Sequence, residues 1–61
     1  MKNKIRELRK DLGISQAELS QKLNVSRQTI NAIENDKYDP TLSLAFKLAN
    51  IFNVTVDDLF S

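Results

Sequence analysis

The sequence predicts an all-α fold of five short helices, and three observations carry that prediction. Apolar residues recur at spacings of three and four along most of the chain, Ser or Thr stands where an N-cap is needed before four of the segments, and alternating apolar and polar strand patterns are nearly absent. The single Gly and the single Pro fall between periodic segments, at Gly13 and Pro40, where a helix end and a helix start are expected.

Ile5, Leu8 and Leu12 set the apolar stripe of a first helix over about 2–12, which Gly13 ends. "SQAE" places Ser15 at an N-cap and Glu18 three residues on, a capping box, with Ile14 and Leu19 packing across the start of a helix over 16–23. "VSRQTI" repeats the device: Ser26 caps a helix over 27–35, and Val25 faces Ile30. Thr41, directly after Pro40, caps 42–52, whose stripe is Leu44, Leu48, Ile51 and Phe52. "VTVDDL" uses Thr55 with Asp58, and Val54 against Leu59, to open a last helix over 56–60. Each cap gives orphan amide donors a partner and stabilises by roughly 1 kcal/mol. Only Asn24, Val25 and Ser26 separate the second helix from the third, so the two must meet at a steep angle rather than fold back as a long hairpin. Asn24 suits that joint, because after Gly it best tolerates a left-handed backbone. The result is a helix-turn-helix.

A chain of 61 residues is expected to form one domain, near the lower limit for a single hydrophobic core without staples. It contains no Cys and no His, which excludes disulfides, thiol chemistry, the usual zinc ligand sets and imidazole catalysis. No signal peptide or membrane-spanning stretch is visible, so a soluble protein of a reducing cytoplasm is expected, with no membrane partner. Net charge is only +1, yet residues 1–31 carry seven basic and three acidic side chains while residues 32–61 carry two basic and five acidic. A basic half and an acidic half suggest one face turned toward an anion; the alternative is an ordinary mixed surface.

The run "LGISQAELSQKLNVSRQTINAIENDKYDPTLSLAFKLANIFNVTVDDLF" resembles the Cro/CI-type helix-turn-helix domains of phage repressors and their bacterial relatives, the XRE family. The resemblance extends from about Ile5 to Phe60, and "SQAEL", "NVSRQTI" and the following "IE" are its most specific parts. It implies a five-helix, lambda-repressor-like DNA-binding domain, used as a symmetric dimer on a palindromic operator with the third helix in the major groove. Ser20 and Asn24 stand where relatives often have Ala and Gly. Many relatives continue into a further domain or hairpin that binds an effector, and without such a segment no small-molecule ligand or cofactor is expected.

The third helix has an unusual polar side. If Ile30 and Ile33 face the core, a 100° step puts Arg27 and Asn31 one turn apart on the outer face, with Gln28 beside them. The guanidinium fork of Arg can donate twice to guanine O6 and N7, and an amide can donate and accept at once at adenine N6 and N7. Arg27, Gln28 and Asn31 are therefore the candidate base readers, with Ala32 placed to touch a thymine methyl. Gln16, in the first turn of the second helix, is a phosphate candidate, and the resemblance implies a backbone contact there. Further phosphate candidates are Ser26 and Thr29 through their hydroxyls, Asn35 and Lys37 in the loop after the third helix, and Arg9 and Lys10 on the first. The other reading for these groups is a solvated polar surface, and for Ser26 a cap alone.

Three or four base readers per domain give limited specificity, so a homodimer on two half-sites is expected. Tyr38, Pro40, Leu42, Val56, Leu59 and Phe60 are candidates for its interface, on the ground that a short last helix cannot easily bury all its apolar residues; the alternative is that they complete the core. No catalytic constellation is present: Asp57 and Asp58 are adjacent on a helix and point apart, and Asp36 and Asp39 fall short of a calcium loop. An antitoxin-like or adaptor module that binds protein through the same fold is the competing function. Repression is the default for a domain without surface to recruit polymerase.

Overall fold

Four of the five helices begin on a hydroxyl. In the computed structural model, which describes residues 2–61, the element order is α1 (Ile5–Leu12), α2 (Gln16–Leu23), α3 (Arg27–Glu34), α4 (Leu42–Phe52) and α5 (Val56–Leu59). Ser15, Ser26, Thr41 and Thr55 precede the last four, and their side-chain oxygens accept from the backbone N–H of Glu18, Thr29, Leu44 and Asp58 at 3.0, 3.1, 3.2 and 3.0 Å. The reciprocal half of the capping box is made as well, with Ser15 N–H donating to Glu18 Oε1 at 3.2 Å. Gly13, Asn24 and Asn53 close α1, α2 and α4 in the left-handed conformation, with φ of 70°, 57° and 55°. Asn is the side chain best suited to that region after Gly, because its short amide relieves part of the steric cost locally.

The first helix departs from expectation. It starts at Ile5, not near residue 2, and Lys4 at its N-cap position offers no side-chain cap. Residues 3 and 4 are held by distant partners instead: Lys4 N–H donates to the Leu59 carbonyl at 2.8 Å, and Asn3 Nδ2 donates to the Ile33 carbonyl at 2.8 Å while Asn3 Oδ1 accepts from Ile5 N–H at 3.1 Å. The other ends differ by a residue, with α3 stopping at Glu34 and α5 at Leu59. Leu12 is also misplaced by periodicity, for it is 55% exposed. The chain turns at Gly13 and brings Ile14 onto the core, leaving Leu12 outside.

α4 packs against α1, α2 and α5, and α2 makes its most extensive contact with α3. Ile5, Leu19, Ile30, Ile33, Leu48 and Leu59 are essentially inaccessible and come from all five helices. Fully burying one such side chain contributes about 1.5–3 kcal/mol, so this layer anchors α3 from beneath. Ser20 is buried, and its Oγ donates to the Ala17 carbonyl at 2.7 Å, which offsets the cost of burying a hydroxyl.

Candidate nucleic-acid interface

Because Ile30 and Ile33 are each 1% exposed, the orientation of α3 about its axis is fixed and its opposite face lies in solvent. Arg27, Gln28 and Asn31 are exposed and Ala32 half-buried. Gln16, from the first turn of α2, joins Arg27, Gln28 and Asn31 around a shallow cleft of about 250 Å³. The four side chains expected to meet DNA from two different helices are thereby brought together.

Beneath that cleft lies a polar network centred on Glu34, whose carboxylate is inaccessible to solvent. Arg9 grips it with two bonds, Nε to Oε2 at 2.9 Å and Nη2 to Oε1 at 3.2 Å, and also donates from Nη1 to the Ile14 carbonyl at 3.1 Å. Arg6 Nε and Gln16 Nε2 donate to Oε1 at 3.3 and 3.2 Å. Burial by itself pushes the Glu34 carboxyl pKa up, but the hydrogen bonds from Arg9, Gln16 and Arg6 and the Arg9 charge outweigh it, and the pKa falls below the ordinary value. α3 therefore carries its one acidic residue inward, ionised and neutralised, and presents no negative charge on its outer face.

The network reaches the surface through amides. Gln16 Nε2 also donates to Asn31 Oδ1 at 3.3 Å, and Asn35 Nδ2 donates to the same oxygen at 3.1 Å and to the Asn31 carbonyl at 2.9 Å. Asn35 Oδ1 in turn accepts from Arg6 Nη2 at 2.8 Å. Arg27 and Gln28 make no side-chain hydrogen bond or ion pair to another described residue, so both are free for a partner.

Several sequence expectations need correction. Arg9 is not a surface cation: its side chain is only 12% exposed and is committed to Glu34, so it is removed from the phosphate candidates. Leu59 is 0% exposed and belongs to the core, so it cannot line an interface. Tyr38, 49% exposed, shares a depression with Val25, Thr29 and Lys47, whereas Pro40, Leu42, Val56 and Phe60 line a different one of about 420 Å³. Asn35 is exposed but both its amide protons are used internally, so it has none to donate to a phosphate. Ser26 Oγ and Thr29 Oγ1 lie 2.9 Å apart and share one hydrogen, which leaves one hydroxyl proton for a partner. Lys10 and Lys37 are exposed.

Sequence reasoning missed Glu34, Arg6 and Phe46. The signal for Glu34 was present: it follows Ile33 and lies four residues after Ile30, on the buried side of α3, and two arginines three apart on α1 could meet it. Phe46 is 59% exposed and lies one turn after Leu42, itself 69% exposed, on a face of α4 that borders its buried stripe at Ala49. An apolar face that extends past the buried stripe of a helix marks a second contact surface. Among the described residues no helix is long and apolar enough to cross a membrane.

Comparisons with known proteins agree with this geometry. A family model described as "Helix-turn-helix" matches residues 5–59. An uncharacterized HTH-type transcriptional regulator of Methanocaldococcus jannaschii is 53% identical over 60 residues, covering 98% of this chain and 91% of that one. The immunity repressor protein of Bacillus phage phi105 is 34% identical over 53 residues, 87% of this chain and 37% of its own. Among solved structures, the restriction-modification controller protein C.AhdI of Aeromonas hydrophila superposes with a TM-score of 0.81 at 28% identity, over 92% of this chain and 85% of that one. The buried anchoring of α3, its outward amides and these similarities lead to one conclusion: the chain belongs to the Cro/CI-type (XRE) helix-turn-helix family of DNA-binding, non-enzymatic transcriptional regulators.

Proposed function

We propose that this chain binds double-stranded DNA sequence-specifically as a homodimer on a palindromic operator in the cytoplasm, with α3 in the major groove, and that it represses transcription there. The observation that carries the reading is the outer face of α3, where Arg27, Gln28 and Asn31 stand exposed with no acidic group among them. Arg27 and Gln28 have every valence available for base edges, and Ala32 can meet a thymine methyl. Phosphates would be met by the backbone N–H groups at the start of α2, by the Ser26 and Thr29 hydroxyl pair, and by Lys10 and Lys37. Similarity to a phage immunity repressor supports the repressor role.

Dimerisation is supported by an apolar face that the monomer leaves open. Leu42 and Phe46 line a depression of about 740 Å³ with Ala49, Val54 and Val56, next to the one formed by Pro40, Val56 and Phe60. Such a face can pair with itself across a twofold axis.

Selection of bound duplexes from a random pool tests the reading. The expected product is an inverted repeat with half-sites about one helical turn apart, bound with an affinity that falls by orders of magnitude between about 50 and 200 mM salt. Arg27→Ala and Gln28→Ala should each relax preference at particular base pairs, by about 1–3 kcal/mol, with folding intact. A pool that stays random, or binding to a protein partner that ignores salt, would favour the adaptor function instead.

A further inference from the structure

We infer that the network beneath α3 locks the Asn31 amide with its oxygen inward, so that Asn31 meets DNA as a donor-only group and selects a G·C over an A·T base pair. The inference rests on the DNA-binding reading above and narrows it.

Two groups of fixed polarity, one acceptor-only and one donor-only, set the direction of the network. The Glu34 carboxylate, held by Arg9 and Arg6, only accepts, so the Gln16 atom 3.2 Å from it must be the nitrogen. That nitrogen has a second proton and no lone pair to offer, so the Asn31 atom 3.3 Å away must be Oδ1. From the other side, the Arg6 guanidinium only donates, so the Asn35 atom 2.8 Å from it must be Oδ1, and the Asn35 nitrogen faces Asn31. It again finds Asn31 Oδ1, at 3.1 Å. Two independent chains of donors therefore converge on one oxygen, and turning the Asn31 amide over would set nitrogen against nitrogen on both sides.

The consequence for recognition is specific. Asn31 Oδ1 has both lone pairs engaged, and its Nδ2, without a partner among the described residues, carries two protons on an exposed side chain. Guanine offers two adjacent acceptors, O6 and N7, in the major groove. At an A·T pair the adenine N6–H₂ donor separates the acceptors, and a donor-only amide meets it proton to proton. An unconstrained amide, such as that of Gln28, can use its oxygen there; Asn31 cannot. Gln16 acquires a different role from the same bonds. Both its amide protons are used, so its side chain positions Asn31 rather than donating to a phosphate.

The test compares duplexes selected by the full chain with those selected by Asn31→Ala, Asn31→Asp and the double variant Gln16→Ala with Asn35→Ala, each checked for folding by circular dichroism. The base pair whose preference disappears in Asn31→Ala is the one Asn31 reads. In the unaltered chain that pair should be G·C, preferred over A·T by roughly five- to hundredfold. Asn31→Asp keeps both inward bonds but turns an acceptor outward, and should abolish the G·C preference at that pair while preferences elsewhere persist. The double variant frees the amide, so discrimination should fall severalfold at the same pair alone; a merely structural role would lower affinity for all sequences evenly. A·T at the Asn31 pair, no pair responding to Asn31→Ala, or unchanged discrimination in the double variant overturns the inference. If the unaltered chain enriches no duplex at all, the DNA-binding reading itself fails.

Discussion

Glu34 is the residue on which fold and surface meet. Its carboxylate is out of reach of solvent, yet it is ionised because Arg9, Gln16 and Arg6 supply four N–H donors to two oxygens. A folded-state pKa below the unfolded value means that the stabilisation is fully present above the unfolded carboxyl pKa of about 4.3 and is lost as pH falls through the lower, folded value. Stability should therefore drop on acidification below about pH 4, and Glu34→Gln, which cannot ionise, should lose much of that dependence. At neutral pH Glu34→Ala strands Arg9 in a largely buried position and should cost about 3 kcal/mol, near the lower end for a broken buried pair because Arg6 can turn to water. Urea unfolding at pH 7 and pH 3 checks both, and an acid transition identical in Glu34→Gln and the unaltered chain would assign the acid sensitivity to other carboxylates.

At the scale of elements, the helix boundaries rest on local chemistry wherever they were legible. Asn24 holds φ of 57° between α2 and α3, so Asn24→Ala places a side chain with no compensating polar group in the left-handed region and should destabilise by about 1 kcal/mol, whereas Asn24→Gly should be neutral or slightly stabilising. Thermal unfolding of the two variants decides the point; equal losses would mean that the amide, not the backbone angle, matters there. The hydroxyl caps of α2 to α5 and the stops at Gly13 and Asn24 could be read from sequence because each is settled within a few residues. What could not be read is settled across the chain. α1 starts at Ile5 because Lys4 pairs with Leu59 and Asn3 with Ile33, partners roughly thirty or more residues away that no window reveals. The same limit applies to the site: the exposure of Arg27, Gln28 and Asn31 follows from helical phase, but the engagement of Gln16 and Arg9 depends on Glu34 arriving under α2 and beside α1, and that of Asn35 on Arg6 reaching it from α1.

For the molecule as a whole, two surfaces differ in kind. One is polar and follows α3; the other is apolar and follows the outer stripe of α4 with α5, where Leu42 and Phe46 remain 69% and 59% exposed. A 61-residue chain has little surplus of core, so large apolar side chains left in water are area that a partner can still bury. If a second copy covers them, two α3 helices are related by a twofold axis and the operator must be palindromic. Phe46→Glu tests this without touching the core, since Phe46 contributes nothing to the buried cluster. Two glutamates facing each other across the axis oppose association, and removing a buried aromatic pair weakens it further. Sedimentation should then show a monomer at concentrations where the unaltered chain is dimeric, and binding to a full operator should weaken at least tenfold while the contact to a single half-site keeps its base preferences. Should Phe46→Glu leave both the mass in solution and operator affinity unchanged, the twofold axis lies elsewhere on the molecule, and the apolar face of α4 serves another contact.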